Sequence, residues 1–341
     1  MKSIGIIVLN WQGWQDTLVC LESLKALIYP GPISIIVCDN ASEDDSYLQI
    51  LNWARQHYAE IALFYQEKGE CLRAKEPGIN EVEPGENEGA PFPFILIQTG
   101  SNLGFAGGNN VGIRYALITQ KYEYLWLLNN DTIVDAYALS TLYEYAITHP
   151  ELALIGSTII DYNQRDTIQC AGGCHYSPLL TIFKPALAGK KLNQVTQYDN
   201  KTMTLDYIFG AALFLPIAAI QKVGLLNEEY FLFYEELDYT QRLKRQGYGI
   251  GWCKNSFVYH KGSASVGSVH EGDRGKLRRA NYYENLSTLK YTANFYPYLL
   301  PLVMVLRFVG KSLALIKRRD FYLFAPLFKA YWDFIRHQLI S

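Results

Sequence analysis

The stretch that decides the fold is residues 4–42, IGIIVLNWQGWQDTLVCLESLKALIYPGPISIIVCDNAS. Residues 4–9 and 33–38 are short β-branched apolar runs without polar alternation, the pattern of strands covered on both faces in a parallel sheet. Between them, Trp14 to Leu27 has helical periodicity, so the segment reads as a β-α-β unit. Outward from it, residues 94–97 (FILI) and 124–128 (YLWLL) are predicted as two further strands, with a helix from about Asn109 to Thr119 between them. Beyond Pro150 come an apolar run (Leu152–Ile160), turn-rich sequence to about Leu205, and helices near Pro216–Val223 and Glu236–Gln246. Gly247 is placed to end the last of these. The class is α/β, a mostly parallel central sheet flanked by helices.

The 341 residues are 49% hydrophobic and 19% charged, which excludes global disorder because such a chain buries enough apolar surface to offset ordering entropy. Six cysteines are too few for a disulfide scaffold and fit reduced thiols in a cytoplasmic protein. The N-terminal apolar run breaks at Asn10 with no cleavage site after it, and so reads as a buried strand and not a signal peptide. Residues 66–93 hold seven acids among several glycines and prolines and are expected to form a mobile insertion loop. The formal net charge of −2 gives no reason to expect a nucleic-acid partner.

That total hides an asymmetry. From Arg274 onward, twelve Lys/Arg face three acids, a balance of +9 that leaves −11 on residues 1–273. The division expected is therefore a body, 1–273, and a basic, aromatic helical tail, 274–341. Its longest apolar stretch, Tyr298 to Ile316, is interrupted by Arg307 and Lys311, which makes a spanning helix expensive. Arg307, Lys311 and Arg318 share one helical face, and Leu302, Val305, Leu306, Val309, Leu313 and Ile316 the other. A second such segment, Phe321 to Leu339, sets Lys329, Asp333 and Arg336 against Phe324, Leu327, Phe328, Tyr331 and Ile335. Helices of this kind lie in the membrane interface. The alternative is a pair packed on the body or on a second subunit, as a homodimer.

In open α/β sheets, ligands sit beyond the carboxyl ends of the strands. Four predicted strands end there in Asn/Asp/Gly clusters: Asn10-Trp11, residues 38–42 (CDNAS), residues 100–109 (GSNLGFAGGN) and Asn129-Asn130-Asp131. Asp39 can accept hydrogen bonds from a base or a ribose hydroxyl, or cap a helix. The Gly-rich 102–109 stretch lets backbone N–H groups approach a diphosphate, but lacks the dinucleotide fingerprint after the first strand. Asp131 is a hard-cation ligand whose neutral neighbours leave the ligand's phosphates to complete the site. Glu235, Glu236 and Asp238 open a helix; they suit its dipole, or supply a general base. The two adjacent glutamates are expected to point in different directions. His260, ending the run 257–259, is structural or functional on spacing alone. The Cys170…Cys174-His175 spacing is wrong for a standard zinc finger.

The strings IIVLNWQGWQDTLVCLESL, VCDNASEDDS, NLGFAGGNNVGI, LLNNDT, IFGAALFLPIAAIQKVGLLNEEYFLFYEELDYTQRLKRQGYGI and VYHKGSAS together resemble inverting glycosyltransferases of family 2, which have the GT-A fold. The likeness is to a rhamnosyltransferase-like branch and spans about residues 4–265. It implies that Asn10 and Asp39 hold the donor nucleotide. It also implies that Asn102, Gly104, Asn109 and Asn130 line the diphosphate and sugar side, with the small residues Gly210 and Ala211 beside the reacting sugar. Asp131 matches the last aspartate of the metal-binding DxD motif, here Asn-Asn-Asp, and His260 the late histidine that ligates the metal or contacts the diphosphate. Glu236 matches the catalytic base, with Glu235 and Asp238 as further candidates. The implied cofactor is Mn²⁺ or Mg²⁺. The implied partners are a nucleotide-diphosphate sugar, dTDP-rhamnose foremost, and a glycan or lipid-linked acceptor in cell-surface polysaccharide synthesis. The expected location is the cytoplasmic face of the plasma membrane. The competing classes are a nucleotidyltransferase, which the lack of Lys or Arg in residues 10–17 disfavours, and an inactive scaffold of the same fold.

Overall fold

A computed structural model describes residues 2–67, 70–73, 93–198, 203–262 and 274–340. Most of the insertion expected at 66–93 lies outside the described residues. The chain runs β1 (Ile4–Asn10), α1 (Trp14–Lys25), β2 (Ile33–Asp39), α2 (Ser46–His57), β3 (Ile61–Glu67), β4 (Glu70–Arg73), β5 (Phe94–Gln98), α3 (Gly104–Thr119), β6 (Tyr124–Asn129), β7 (Thr132–Val134) and α4 (Ala138–Thr148). It continues through β8 (Leu152–Asp161), β9 (Ile168–Ala171), β10 (Gly173–Ser177), β11 (Ile182–Pro185), β12 (Tyr207–Ile208), β13 (Ala212–Pro216), α5 (Ile217–Val223), α6 (Glu235–Arg245) and β14 (Gly249–His260). Three helices close it: α7 (Arg274–Phe295), α8 (Leu300–Arg318) and α9 (Phe324–Ile340).

The main sheet has the order β4-β3-β5-β2-β1-β6-β13-β8-β14-β7, with β9 on β8; a small sheet, β11-β10-β12, stands apart. From β3 to β6 every neighbour is parallel. The direction reverses at β13, antiparallel to both β6 and β8. Ile4, Ile6 and Val8 of β1 pack into one hydrophobic cluster with α1, α2 and α4, while Ile7 packs into a second with α3, α5 and α6. Burial on both faces is why these strands read as unbroken apolar runs.

α3 begins at Gly104, five residues before the sequence places it, so most of the Gly-rich stretch is helical. Glycine costs about 1 kcal/mol in a helix interior, and packing overrides that here. Asn110, fully buried, pins the helix by donating to the Leu226 carbonyl and accepting from the Leu226 N–H, at 2.9 and 3.0 Å.

Of the closing helices, α8 is docked with its polarity reversed. α7 lies against the body: Tyr283 stacks on Phe231 at 4.3 Å, and Ser287 donates to the Leu232 carbonyl at 2.9 Å. α8 turns its charges inward. The buried Arg307 donates to Asn285, Thr181 and Glu284 at 2.9, 2.8 and 3.0 Å, and Lys311 reaches Glu284 at 2.6 Å. Burial pushes the Glu284 carboxyl up, but the Lys311 and Arg307 charges outweigh it and hold the group below its ordinary value. The apolar face of α8 points outward instead, with Val305 and Leu313 each 61% exposed, whereas α9 buries Leu327, Ala330, Tyr331 and Phe334 against α7 and leaves Phe328 and Trp332 outside. A soluble surface helix does the opposite of α8. Among the described residues, Pro297–Arg318 is the one helical stretch long and apolar enough to cross a membrane, and only 17% of its most apolar 18 residues is buried.

Removing one partner of a buried ion pair strands the other charge at a cost of roughly 3 kcal/mol. The Glu284 side chain is 34% exposed and solvent discounts that figure, so Glu284→Ala is expected to lower unfolding free energy by about 1–2 kcal/mol, read from urea midpoints at neutral pH. Because Glu284 is depressed, its contribution is present above the ordinary carboxylate range and is lost as pH falls through its lowered value. The gap between variant and wild type should close in acid.

Candidate active site

The parallel register puts Gln98, Asp39 and Asn10 in one row at the carboxyl edge of β5, β2 and β1; Leu9 pairs with Asn129, which sets Asn130 beside that row. Asp39 is fully buried. Its carboxylate accepts from Asn10 (2.7 Å), from the Ser42 hydroxyl and N–H (2.7 and 3.2 Å) and from Gln98 (3.0 Å). Asn10 accepts in turn from Thr17 at 2.7 Å, and Thr17 accepts from Asn130 at 2.9 Å. The residues expected to touch a nucleotide at Asn10 and Asp39 thus form the hydrogen-bonded floor beneath the site. Asn40 carries the line on, donating to Asn102 and to the Gly104 carbonyl at 3.1 Å each and accepting from the Leu103 N–H at 3.0 Å.

Over this floor opens a cavity of about 590 Å³, a size suited to a small-molecule ligand. Asn102, Gly104, Asn130 and Asp131 line it, as do Trp11, Asn40, Phe231 and, from α7, Lys276, Arg279 and Tyr283. Gly104 has φ +71°, and a Cβ there would stand 2.2 Å from the Phe231 carbonyl oxygen. The Phe105 N–H donates to that same oxygen at 2.8 Å, so α3 and the strand-to-helix loop at Phe231 meet on this glycine. Asn109 is buried, its amide donating to the Phe105 carbonyl at 3.0 Å inside α3, and does not reach the cavity wall.

Asp131 and His260 come together across β6, β7 and β14. Thr132 pairs with His260 in the sheet, and the His260 Nε2 lies 3.2 Å from Asp131 Oδ1, both side chains 6% exposed. Nδ1 faces the Gln169 amide oxygen at 2.8 Å and so carries the proton, which leaves Nε2 a buried lone pair without hydrogen-bond alignment toward the carboxylate. One carboxylate oxygen and one imidazole nitrogen this close, the nitrogen without a hydrogen bond, are a donor pair that fits a divalent cation. Among the described residues no third His, Cys, Asp or Glu joins them. The Cys170 and Cys174 sulfurs are 3.9 Å apart and buried, likewise without the further ligands a metal needs.

α6 starts directly after Phe233 and Tyr234, both at positive φ (66° and 74°). Two consecutive non-glycine residues held there cost of order 1–3 kcal/mol each, strain characteristic of functional sites. Each of the two glutamates that follow keeps one carboxylate oxygen without a hydrogen-bond partner. Burial and then the Glu236 charge push Glu235 well up; burial also raises Glu236, opposed first by its own backbone N–H and then by Glu235. Glu236 Oε1 lies where a Cβ on Gly210 would be 3.4 Å away, so the Gly210-Ala211 turn leaves room for the acid. Asp238 is tied elsewhere: it pairs with Arg242 at 2.6 Å, and Arg242 is bound to the Val223 and Leu225 carbonyls.

Sequence reasoning set Trp11 at a ligand-facing strand end but did not find Phe231, Lys276, Arg279 or Tyr283 in the wall. The Arg279 guanidinium lies 4.7 Å over the Trp11 ring, which joins the first strand's end to α7. The only trace of this in the sequence is the basic-aromatic cluster 274–283, which the charge asymmetry assigned to the tail.

The architecture is that of GT-A transferases. Over 97% of its length the chain matches 86% of the mannosyltransferase PcManGT from Pyrobaculum calidifontis, solved with GDP-Man and Mn²⁺, at TM-score 0.52 and 12% identity. It matches S. aureus TarS 1-349 with UDP-GlcNAc at TM-score 0.51 and 14% identity, covering 98% of this chain and 81% of that one. GalNAc-T7 with UDP, GalNAc and Mn²⁺ aligns at TM-score 0.53 and 11% identity, over 76% of this chain and 44% of that one. Two curated relatives are glycosyltransferases. The low-salt glycan biosynthesis hexosyltransferase Agl10 of Haloferax volcanii is 29% identical over 46% of this chain and 48% of its own length. The galactofuranosyltransferase GlfT1 of Mycolicibacterium smegmatis is 26% identical over 54% and 58%. The chain spans about half the length of these relatives. No family model matches it.

Gly104→Ala is expected to collapse the cavity wall as well as the fold locally. The left-handed backbone alone costs about 1–3 kcal/mol for a residue with a Cβ, visible as a lower urea midpoint, and the Phe231 loop must shift to admit the methyl.

Proposed function

We propose that the protein is a glycosyltransferase that moves a sugar from a nucleotide diphosphate to a hydroxyl of a membrane-borne acceptor, with inversion at the anomeric carbon. The observation that carries this reading is the cavity at the carboxyl ends of four parallel strands, with the Asp131–His260 pair in or behind its wall and an acidic helix start close by. The relatives' names, hexosyltransferase and galactofuranosyltransferase, favour the same chemistry.

In this reading Asn102, Gly104 and Asn130 face the donor, and the Asp39 network fixes the loop that presents Asn40. Asp131 and His260 would hold Mn²⁺ or Mg²⁺; when bound, the cation neutralises charge on the departing diphosphate. Lys276 and Arg279 add positive charge to the same cavity. Glu236 takes the proton of the attacking hydroxyl, and Gly210 and Ala211 leave space for the sugar beside it. The donor proposed is dTDP-rhamnose, on the sequence resemblance. The outward apolar side chains of α8 and α9 support a body seated on a membrane, and the cytoplasmic face is proposed on the sequence resemblance. Arg307 and Lys311 are engaged with Glu284, so it is apolar side chains, and not these cations, that meet the lipid.

Glu236→Gln should lower transfer by about 10²–10⁴-fold, the usual worth of a general base, while nucleotide binding persists. Glu235→Gln, which keeps a neutral donor beside Glu236, should cost less than Glu236→Gln by at least about tenfold. Transfer should fall as pH drops through the raised Glu236 value, somewhere above 4.5. Equal losses in the two variants would contradict the assignment.

Asp131→Ala should abolish any Mn²⁺-dependent gain in nucleotide-diphosphate affinity, measured by titration calorimetry without acceptor. An unchanged Mn²⁺ dependence would place the cation elsewhere.

A further inference from the structure

Beside the donor cavity, and sharing Arg279 and Tyr283 with it as a common wall, a groove of about 260 Å³ opens between α7 and α9. Its other walls are Arg278 and Tyr282 of α7 and Ala325, Pro326 and Lys329 of α9. Resting on the glycosyltransferase reading above, we propose that this groove binds the phosphate of a lipid-linked acceptor whose chain lies along the exposed apolar faces of α8 and α9.

Three observations converge on that occupant. The groove's charge is one-sided. Arg278, Arg279 and Lys329 face one acid, Asp333, which lies at its margin and is engaged by Lys329 at 2.5 Å and by the Tyr282 hydroxyl at 2.6 Å. Two guanidinium forks and an ammonium are the donor set that matches phosphate oxygens. The size is the second. About 260 Å³ falls below the range that encloses a whole small ligand, so the groove takes a head group and the rest of the molecule must leave it. The third is what lies on either side. Toward α9, Phe328 directly precedes Lys329 and begins an exposed stripe that continues through Trp332 and Ile335. Toward the body, the Arg279–Trp11 contact at 4.7 Å and the Tyr283–Phe231 stack at 4.3 Å form the partition behind which the donor cavity starts. A phosphate held here has an apolar surface on one side for its lipid and the donor cavity on the other for the sugar it carries.

The test is vesicle flotation of the full chain on phosphatidylcholine alone, on phosphatidylcholine with a few per cent of an isoprenyl monophosphate, and on phosphatidylcholine with phosphatidylglycerol at matched charge. The isoprenyl phosphate should raise binding about tenfold over the neutral vesicles, the effect of one charge-assisted contact to a phosphate, and phosphatidylglycerol should raise it less. Arg278→Ala/Lys329→Ala should remove the isoprenyl-phosphate gain and keep the binding to neutral vesicles. Arg278→Glu, a single change at an exposed position, should do the same if the double variant proves unstable. Binding of nucleotide diphosphate, measured on each variant, shows that the body is folded. The proposal is overturned if phosphatidylglycerol matches the isoprenyl phosphate, if the variants keep the gain, or if the chain forms a dimer that buries the apolar faces and no longer floats. Failure of the transferase reading itself looks different: no nucleotide diphosphate binds the wild-type chain.

Discussion

One buried charge organises the functional edge of this molecule. Asp39 has no exposure to solvent, and an uncompensated carboxylate there would cost several kcal/mol. Four donors offset that cost, and they come from different places: Asn10 on β1, Gln98 on β5 and Ser42 in the loop after β2. Satisfying one carboxylate therefore fixes the ends of three strands relative to one another. The chain of contacts continues through Thr17 of α1 to Asn130 after β6, so the four strand ends are held as one hydrogen-bonded layer. A cavity built on such a layer needs little rearrangement to receive a polar ligand, because its floor is already satisfied.

The tail obeys a different constraint. Arg307 is buried with three partners, and its position fixes which way α8 faces. Once Arg307 and Lys311 point at Glu284, the 3.6-residue repeat compels Leu302, Val305, Val309, Leu313 and Ile316 to point away from the body. The inside-out polarity is thus a consequence of one ion cluster. A spanning reading of Pro297–Arg318 would require that cluster, including Glu284 on α7, to lie at membrane depth, whereas a helix lying in the interface keeps it on the protein side.

The parallel half of the sheet was legible because its strands are buried on both faces and their apolar runs are bounded by Asn, Asp and Gly. The polar residues that close those strands were legible for the same reason. Three features were not. α3 starts early because close packing and the Asn110 clamp overrule glycine's low helix propensity. The turn into α6 at Phe233 and Tyr234 uses left-handed backbone with no glycine to announce it. The share of the cavity wall owed to α7 is a tertiary fact: the charge count located a basic segment but not the surface against which it folds.

That last point joins the two halves of the molecule. The Asn129-Asn130-Asp131 turn offers a single carboxylate, and Asp16, the other acid on the cavity wall, is paired with Lys261 at 2.5 Å. A cation held by Asp131 and His260 alone is under-coordinated until phosphate oxygens complete it, so donor and metal would arrive at this site as mutual ligands. Lys276 and Arg279 relieve some of that dependence by bringing fixed positive charge to the same cavity, and both belong to α7. The helix that brings those cations to the cavity is thus the one on which α8 and α9 dock, α8 through Arg307 and Lys311 on Glu284 and α9 through Leu327, Tyr331 and Phe334 beside Leu289. Anything that covers the outward side chains of α8 and α9 would therefore bear on α7 and its two cations.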